Sequence, residues 1–261
     1  MNYRIYAEYW YLDALVENNW DCYVLNDYEA IMPLPFVKKF GFKFIVQPIY
    51  CQQLGVFHQD NFSKETFQLF ENKLHRNLVR AYSFNEENTE MFEPKGKKRV
   101  NQIIELDQFH FENYSKMVQR NVNYFTKQQL VIKKNDKIEP LLNFKIQHRN
   151  HFVNIPYYKK LLTVLNHYKF LDIQFVEDEE VFGFVCFMKS KNRVFYLDSA
   201  TSQTGKDKKV PTGIINEMLK ELKSKKIIFD FEGSSIPSIS KFYNGFGATI
   251  RNYTFYSNLN I

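Results

Sequence analysis

Acidic side chains follow one predicted strand, KIIFDF, at the point where it ends. Asp230 and Glu232 alternate to the same side of this strand, and Glu232 stands at its C-terminal edge. Ligands of open α/β sheets bind outside that edge. Glu232 could therefore act as a general base that takes a proton from an amine, directly or through water. The alternative is structural, because Glu232 with Ser234 or Ser235 could instead cap the next helix.

Lysines cluster in four segments, and one of them comes directly before a predicted helix. KGKKR at 95–99, KKNDK at 133–137 and KSKK at 223–226 are typical of solvated turns. GKDKK at 205–209 is different, because the free amides and the dipole at the start of the following helix favour an anion. The candidate residues for cofactor binding in this region are Ser199, Thr201, Gly205, Lys206, Lys208, Lys209, Thr212 and Gly213.

Polar residues interrupt apolar segments at two further places. Gln47, Gln52 and Gln53 lie among apolar residues, where they could line an acceptor pocket or satisfy irregular backbone after a strand. Arg120 and Asn121 interrupt an otherwise apolar helical stripe, and a solvated helix face explains Arg120 equally well. These residues are candidates for a substrate groove, together with Asp230 and Ser234.

Other chemistries have little support in the sequence. The histidines show no HxxxH spacing with acids nearby, so we expect no zinc site and no other metal. GxSxG, P-loop and GxGxxG motifs are absent. The histidines are His58, His75, His110, His148, His151 and His167.

Composition and charge narrow the class of protein. Apolar residues make up 44% of the 261 residues and charged residues 25%, which is typical of a soluble globular chain. The net charge of +6 suits a partner that bears phosphate, such as a coenzyme or an RNA. Three cysteines without a CxxC motif indicate a reducing compartment. The polar N-terminus and the lack of a membrane-spanning run predict a cytoplasmic protein with no membrane partner.

The second half of the sequence predicts an α/β domain. Apolar residues at helical spacing predict helices through Tyr158–Leu165, Ile215–Leu222 and Ile239–Phe246. Strand-like runs lie between them at 170–176, 181–188 and 194–197. KIIFDF is reached by a helical crossover, so we expect it to lie parallel to the strand before it.

The first half repeats this order of elements, with a helix, a hairpin, a strand, a helix and further strands. No similarity of individual residues accompanies the repeat, so tandem copies are a hypothesis. We place the boundary near Val131, with domains at 1–130 and 131–261 and the helix Tyr114–Phe125 as the connector. The predicted class is α/β with a mixed sheet in each of two domains.

The segment FDFEGSSIPSISKFYNGFGA at 229–248 resembles the last helical region of GNAT acetyltransferases. In that family a helix after the strand has the pattern A-x-x-[LF]-Y-x-x-x-G-[FA], and the matching residues here are Ser240, Phe242, Tyr243, Gly247 and Ala248, with serine in place of alanine. Two such domains in tandem resemble the FemAB-like proteins and the Fem-type aminoacyltransferases. The N-terminal stretches YWYLDALV, YEAIMPLP and QPIYCQQLGVF are similar to a bacterial family with that architecture.

The resemblance implies two tandem GNAT-like domains and roles for several residues. Tyr243 would protonate the departing thiolate, although it could equally belong to the apolar stripe of its helix. The helix with Arg120 and Asn121 would face a groove between domains that holds the acceptor. Acyl-coenzyme A would be the donor, but the usual pyrophosphate loop is absent between 199 and 213. Charged transfer RNA is a less favoured donor, because no insertion is long enough for the helical arm of the larger Fem-type enzymes.

The sequence thus supports hypotheses of different classes. The leading one is an acyl- or aminoacyl-transferase that acts on an amine of a small molecule or a peptide. The alternative is a catalytically idle GNAT-like module that binds a small sugar-peptide or nucleotide-type ligand. A third, an RNA-binding protein, rests on net charge alone.

Overall fold

Two compact units make up the chain in the computed structural model, which describes residues 2–59, 61–135, 137–148 and 154–259. One unit comprises Met1–Val100 with Arg251–Ile261, and the other comprises Asn101–Ile250. These packing units do not coincide with the predicted domains at 1–130 and 131–261. The boundary between tandem copies is defined by the repeat of elements rather than by packing, so it stays a prediction.

The first unit begins with a short 3-10 helix at Ile5–Ala7 and contains mainly short strands. Its elements in chain order are α1 (Tyr9–Val16), β1 (Trp20–Leu25), β2 (Ala30–Lys39), β3 (Phe42–Ile45), β4 (Phe57–His58), α2 (Lys64–His75), β5 (Leu78–Val79), β6 (Tyr82–Phe84), α3 (Glu86–Phe92) and β7 (Lys97–Glu105). β7 runs on into the second unit.

Pairing within the first unit follows the predicted hairpin and one helical crossover. β1 and β2 are antiparallel, and β2 also pairs with β3 and β4. α2 connects β3 to β5, and these two strands are parallel. α2 is capped by Ser63, whose hydroxyl accepts a hydrogen bond from the amide of Thr66 at 3.1 Å. It buries Phe67, Phe70 and Leu74, which recur at helical spacing.

The second unit contains longer helices and a broad mixed sheet. After a 3-10 helix at Phe111–Asn113, its elements are α4 (Lys116–Lys127), β8 (Ile132–Asn135), α5 (Ile138–His148), α6 (Ile155–His167), β9 (Leu171–Glu177), β10 (Val181–Lys189), β11 (Arg193–Thr201), α7 (Gln203–Asp207), α8 (Val210–Leu222), β12 (Ile228–Asp230), α9 (Pro237–Asn244) and β13 (Thr249–Tyr256). The last strand returns to the first unit, where it pairs with β6.

One pair of neighbouring strands in the sheet of the second unit is parallel. β8, β9, β10 and β11 are antiparallel neighbours, whereas β11 and β12 are parallel. This confirms the prediction that KIIFDF lies parallel to its predecessor. The two strands are paired only from Arg193 to Phe195 and from Ile228 to Asp230, and then they diverge. The amide of Phe231 bonds instead to the carbonyl of Gln102 on β7, at 3.0 Å.

Helices α4 and α8 cover one face of this sheet. Both contribute buried apolar side chains to one core with β10, β11 and β12. The helices approach each other closely at Gly213, where a Cβ atom would lie 2.3 Å from the ring of Phe125. A residue larger than glycine would therefore push α4 away from α8.

Candidate active site

A cleft opens in the second unit where the parallel strands β11 and β12 diverge. Its volume is about 600 Å³. The divergence leaves a gap in the sheet that side chains from β11, α8 and α9 surround. The lining residues are Asn121, Tyr196, Leu197, Asp198, Ser199, Thr201, Lys206, Lys209, Pro211, Thr212, Phe231, Glu232, Gly233, Ile239, Phe242 and Tyr243.

Tyr243 enters the cleft from α9 and is 8% exposed. Its ring stacks on Phe231, with centroids 4.5 Å apart, and meets Tyr196 edge-on at 5.9 Å. Burial raises the pKa of the Tyr243 hydroxyl, and the charges of Glu232 and Asp198 raise it further. The hydroxyl is therefore protonated at neutral pH. Tyr243 belongs to the apolar core and to the cleft at once.

Glu232 lies two residues after the end of β12 and also lines the cleft. Its backbone adopts a left-handed conformation with a φ of 57°, and its amide donates to Oδ1 of Asp230 at 2.7 Å. The N-cap residue of α9 is Ile236, whose side chain forms no cap hydrogen bond, and the hydroxyl of Ser234 accepts from the amide of Ile236 at 3.1 Å. A serine hydroxyl therefore bonds to the backbone at the start of α9.

Asp230 does not face the cleft with Glu232. Its side chain is fully buried, where it pairs with Arg193 and accepts a hydrogen bond from Nδ2 of Asn101 at 3.0 Å. The expectation that Asp230 and Glu232 share one side is wrong because the chain leaves strand geometry at Glu232. Asp230 accepts a hydrogen bond from the turn that carries Glu232 and does not line the cleft.

The GKDKK segment forms α7 and the approach to α8. Five of the predicted cofactor-binding residues line the cleft: Ser199, Thr201, Lys206, Lys209 and Thr212. α8 begins without a side-chain cap, after Lys209 in a left-handed conformation. Its first turn, Lys206 and Lys209 therefore give one side of the cleft a positive potential.

Three predicted cofactor-binding residues do not line the cleft. Gly205 is buried against β10, where a Cβ atom would lie 2.0 Å from the carbonyl oxygen of Phe182. The ammonium group of Lys208 lies 5.0 Å from the centre of the Phe182 ring. Gly213 packs on Phe125. All three residues make packing contacts with neighbouring elements.

Asp198 and Tyr196 were missed by the sequence analysis, which ended the strand at Leu197. A β-bulge lies at this point, because Cys186 pairs with Asp198 while its neighbour Phe187 pairs with Tyr196. Asp198 forms an ion pair with the buried ammonium group of Lys145 on α5. The polar pair after the apolar run, Asp198 and Ser199, was the one sequence signal that could have pointed to a site here.

The residues predicted for the substrate groove do not lie together in the structure. Asn121 lines the cleft, whereas Arg120 is exposed on the surface of α4. The glutamines belong to the first unit, where Gln47 accepts from the amide of Ser83 at 2.8 Å and Gln53 from that of Glu86 at 3.0 Å. Gln52 accepts in turn from Gln53. Their contacts match the alternative of satisfying irregular backbone.

Among the described residues, no group of three or more histidine, cysteine, aspartate or glutamate side chains could hold a metal ion. His151 lies outside the described residues. No helix in the described ranges has the length and apolar character needed to cross a membrane.

Comparison with solved structures identifies the fold. FemX superposes with a TM-score of 0.70 at 11% identity, over 97% of this chain and 92% of FemX. The chain has a FemX-like, tandem GNAT fold. L-PGS from Bacillus licheniformis gives a TM-score of 0.56 at 14% identity, over 96% of this chain and 88% of its own. A tandem GNAT protein from the clavulanic acid biosynthesis pathway gives 0.50 at 9%, over 93% and 84%.

The FemX-like fold confirms the resemblance and the fold class predicted from the sequence. No protein-family model matches the sequence, and no curated protein is significantly similar to it. At identities this low, the shared tandem GNAT fold establishes architecture and leaves the chemistry to the residues of the cleft.

Proposed function

We propose that the protein is an N-acyltransferase that moves an acyl or aminoacyl group from a thioester or ester onto an amine in the cleft of the second unit. The observation that carries the proposal is the position of Tyr243 and Glu232, which line one cleft between diverging parallel strands. A buried, protonated hydroxyl and a carboxylate are the acid and the base that such a transfer needs.

The reaction would proceed in two balanced steps. Glu232 takes a proton from the acceptor ammonium, and the freed amine attacks the carbonyl carbon to form a C–N bond and a tetrahedral oxyanion. The oxyanion then collapses, the bond to the leaving group breaks, and the leaving thiolate or alkoxide takes a proton from Tyr243, while the new amide nitrogen gives its extra proton to water. The proton on Glu232 returns to Tyr243 through water, so the protein is unchanged.

Features of the backbone support the same chemistry. The bulge between β10 and β11 disrupts the ladder beside Leu197, and a backbone amide released there could stabilise an oxyanion. The uncapped start of α8 with Lys206 and Lys209 offers charge to an anionic donor such as coenzyme A. Because the superfamily's pyrophosphate loop is absent, we assign this contact to side chains and to the first turn of α8.

The test is turnover with defined donors and acceptors. Acetyl-coenzyme A is incubated with polyamines or peptidoglycan-precursor peptides and the release of free thiol is followed, with an aminoacyl-transfer-RNA arm in parallel. We expect turnover that falls by about 10²-fold in Tyr243→Phe. Ligand-induced stabilisation without turnover from any donor would contradict the enzyme and favour the idle binding module.

A further inference from the structure

A second cavity, in the first unit, is lined by four cationic side chains. Its volume is about 830 Å³. β5 ends beside it, the segment before and within β7 forms one wall, and the end of β13 forms another. The cations are Arg80, Lys95, Lys97 and Arg99.

None of these four side chains forms a salt bridge with an acid among the described residues. No aspartate or glutamate in the described part of the chain lines the cavity. The guanidinium carbon of Arg99 lies 3.6 Å from the centre of the Phe255 ring, so an aromatic face orients this cation. All four residues are exposed, and like charges around one cavity favour a bound anion because it reduces their mutual repulsion.

The segment KGKKR is exposed along its whole length, as the sequence indicated, and part of it also lines the cavity. Lys97 and Arg99 alternate with Lys98 along β7, and only the first two line the cavity. Gly96 has a φ of 152°, and a Cβ atom there would lie 2.3 Å from the carbonyl oxygen of Phe255. Glycine thus allows the turn to lie against β13.

One further contact fixes this turn. The amide of Lys95 donates to Oε1 of Glu71 on α2 at 2.7 Å, and Glu71 is itself buried. The backbone that lines the cavity at 95–97 is therefore held by contacts with its neighbours, β13 on one side and α2 on the other.

We propose that this cavity binds a small molecule that carries a diphosphate or two adjacent phosphates. Arginine forks match phosphate oxygens in pairs, and two lysines supply the remaining charge. Four cations around one concavity fit two phosphate groups better than one. A concave site also fits a small ligand better than an extended nucleic acid, which would require a long basic surface. The site is separate from the transferase cleft and does not depend on the proposed function.

Calorimetric titration of the whole chain with inorganic pyrophosphate and with ADP tests the proposal. We expect both to bind more tightly than orthophosphate, with affinity that falls as salt rises. Arg80→Gln and Lys97→Gln should each weaken pyrophosphate binding by about tenfold or more, because each removes a charged hydrogen bond. Lys98→Gln is the matched control, since it removes the same charge from the same strand outside the cavity. The affinity of this variant for pyrophosphate should equal that of the parent protein.

Three results would overturn the assignment. Pyrophosphate and ADP could fail to bind, or Lys98→Gln could weaken binding as much as the cavity variants, which would indicate a general charge effect. A short single-stranded RNA could also bind without competition from pyrophosphate, which would make this face a nucleic-acid surface. Thermal unfolding of each unliganded variant shows whether a loss of binding reflects a loss of fold.

Discussion

Arg193 and Asp230 form an ion pair inside the sheet of the second unit, on the parallel strands β11 and β12. Their side chains are 3% and 1% exposed, so water screens neither charge. The same carboxylate also accepts a hydrogen bond from the amide of Glu232. The pair therefore connects the core of the sheet to the residue that we assign as the base.

Asp230→Asn should destabilise the protein strongly while it leaves an acceptor for the Glu232 amide. The guanidinium of Arg193 would be left buried without its counter-charge, which costs about 3–5 kcal/mol. Urea unfolding measures the change. Glu221→Gln is the control, because Glu221 pairs with Lys134 and Lys189 at an exposed site. That substitution should cost less than about 1 kcal/mol. Equal losses in the two variants would contradict a structural role for the buried pair.

Tyr243→Phe should lower kcat by about 10²-fold with little change in KM, because the ring is kept and the proton donor is lost. Steady-state kinetics with the substrates of the turnover assay measure both constants. Tyr114→Phe is the matched control: Tyr114 is a buried tyrosine of the same unit whose hydroxyl lies 3.3 Å from Oδ1 of Asn216 and does not line the cleft. Unchanged turnover in Tyr243→Phe would restrict Tyr243 to the core.

Glu232→Gln should abolish most turnover at unchanged stability. Glutamine keeps the shape of the side chain but cannot take a proton from an amine, and loss of a general base costs about 10²–10⁴-fold in rate. Asp198→Asn is the informative comparison, because it leaves the buried Lys145 without its charged partner and should lower stability as well as rate. If Glu232→Gln were active and Asp198→Asn inactive, we would assign Asp198 as the general base instead of Glu232.

The sequence predicted those features that depend on local periodicity. The stripe of α8 and the crossover to β12 are local, so the parallel pairing followed from them. The position of Asp198 depends on a bulge in β11, and that of Asp230 on the left-handed backbone at Glu232. Neither the bulge nor the left-handed residue produces a periodic pattern of apolar residues in the sequence. α3 was missed because its sequence, EENTEMF, is mostly polar, although Asn85 caps it through the amide of Asn88.

The cationic cavity was missed for a different physical reason. KGKKR resembles a solvated turn on its own, and it becomes part of a wall only when Phe255 packs against it from the far end of the chain. Contacts between segments so distant in sequence are not encoded in the composition of either one. A run of like charges therefore indicates a ligand site only after the topology is known.

Alkaline pH should destabilise the protein through its buried tyrosines. Burial raises the pKa values of Tyr82, Tyr114, Tyr196 and Tyr243 above the ordinary value of 10.0. Between the unfolded and the folded pKa the native state holds more protons than the unfolded state, so stability is fully present below about pH 10 and falls as pH rises. Each such tyrosine contributes a slope of about 1.4 kcal/mol per pH unit.

Urea unfolding at a series of pH values from neutral to strongly alkaline measures this slope. Tyr114→Phe should reduce this slope by the contribution of one tyrosine. The free energies of unfolding of the variant and of the parent protein should therefore become more similar as pH rises. The substitution removes only a hydroxyl from a residue outside the cleft, so the comparison reports titration rather than a lost active-site contact. A slope that is identical in the parent protein and in Tyr114→Phe would show that Tyr114 ionises equally in the folded and unfolded states, which its burial beside Phe109 and Phe246 argues against.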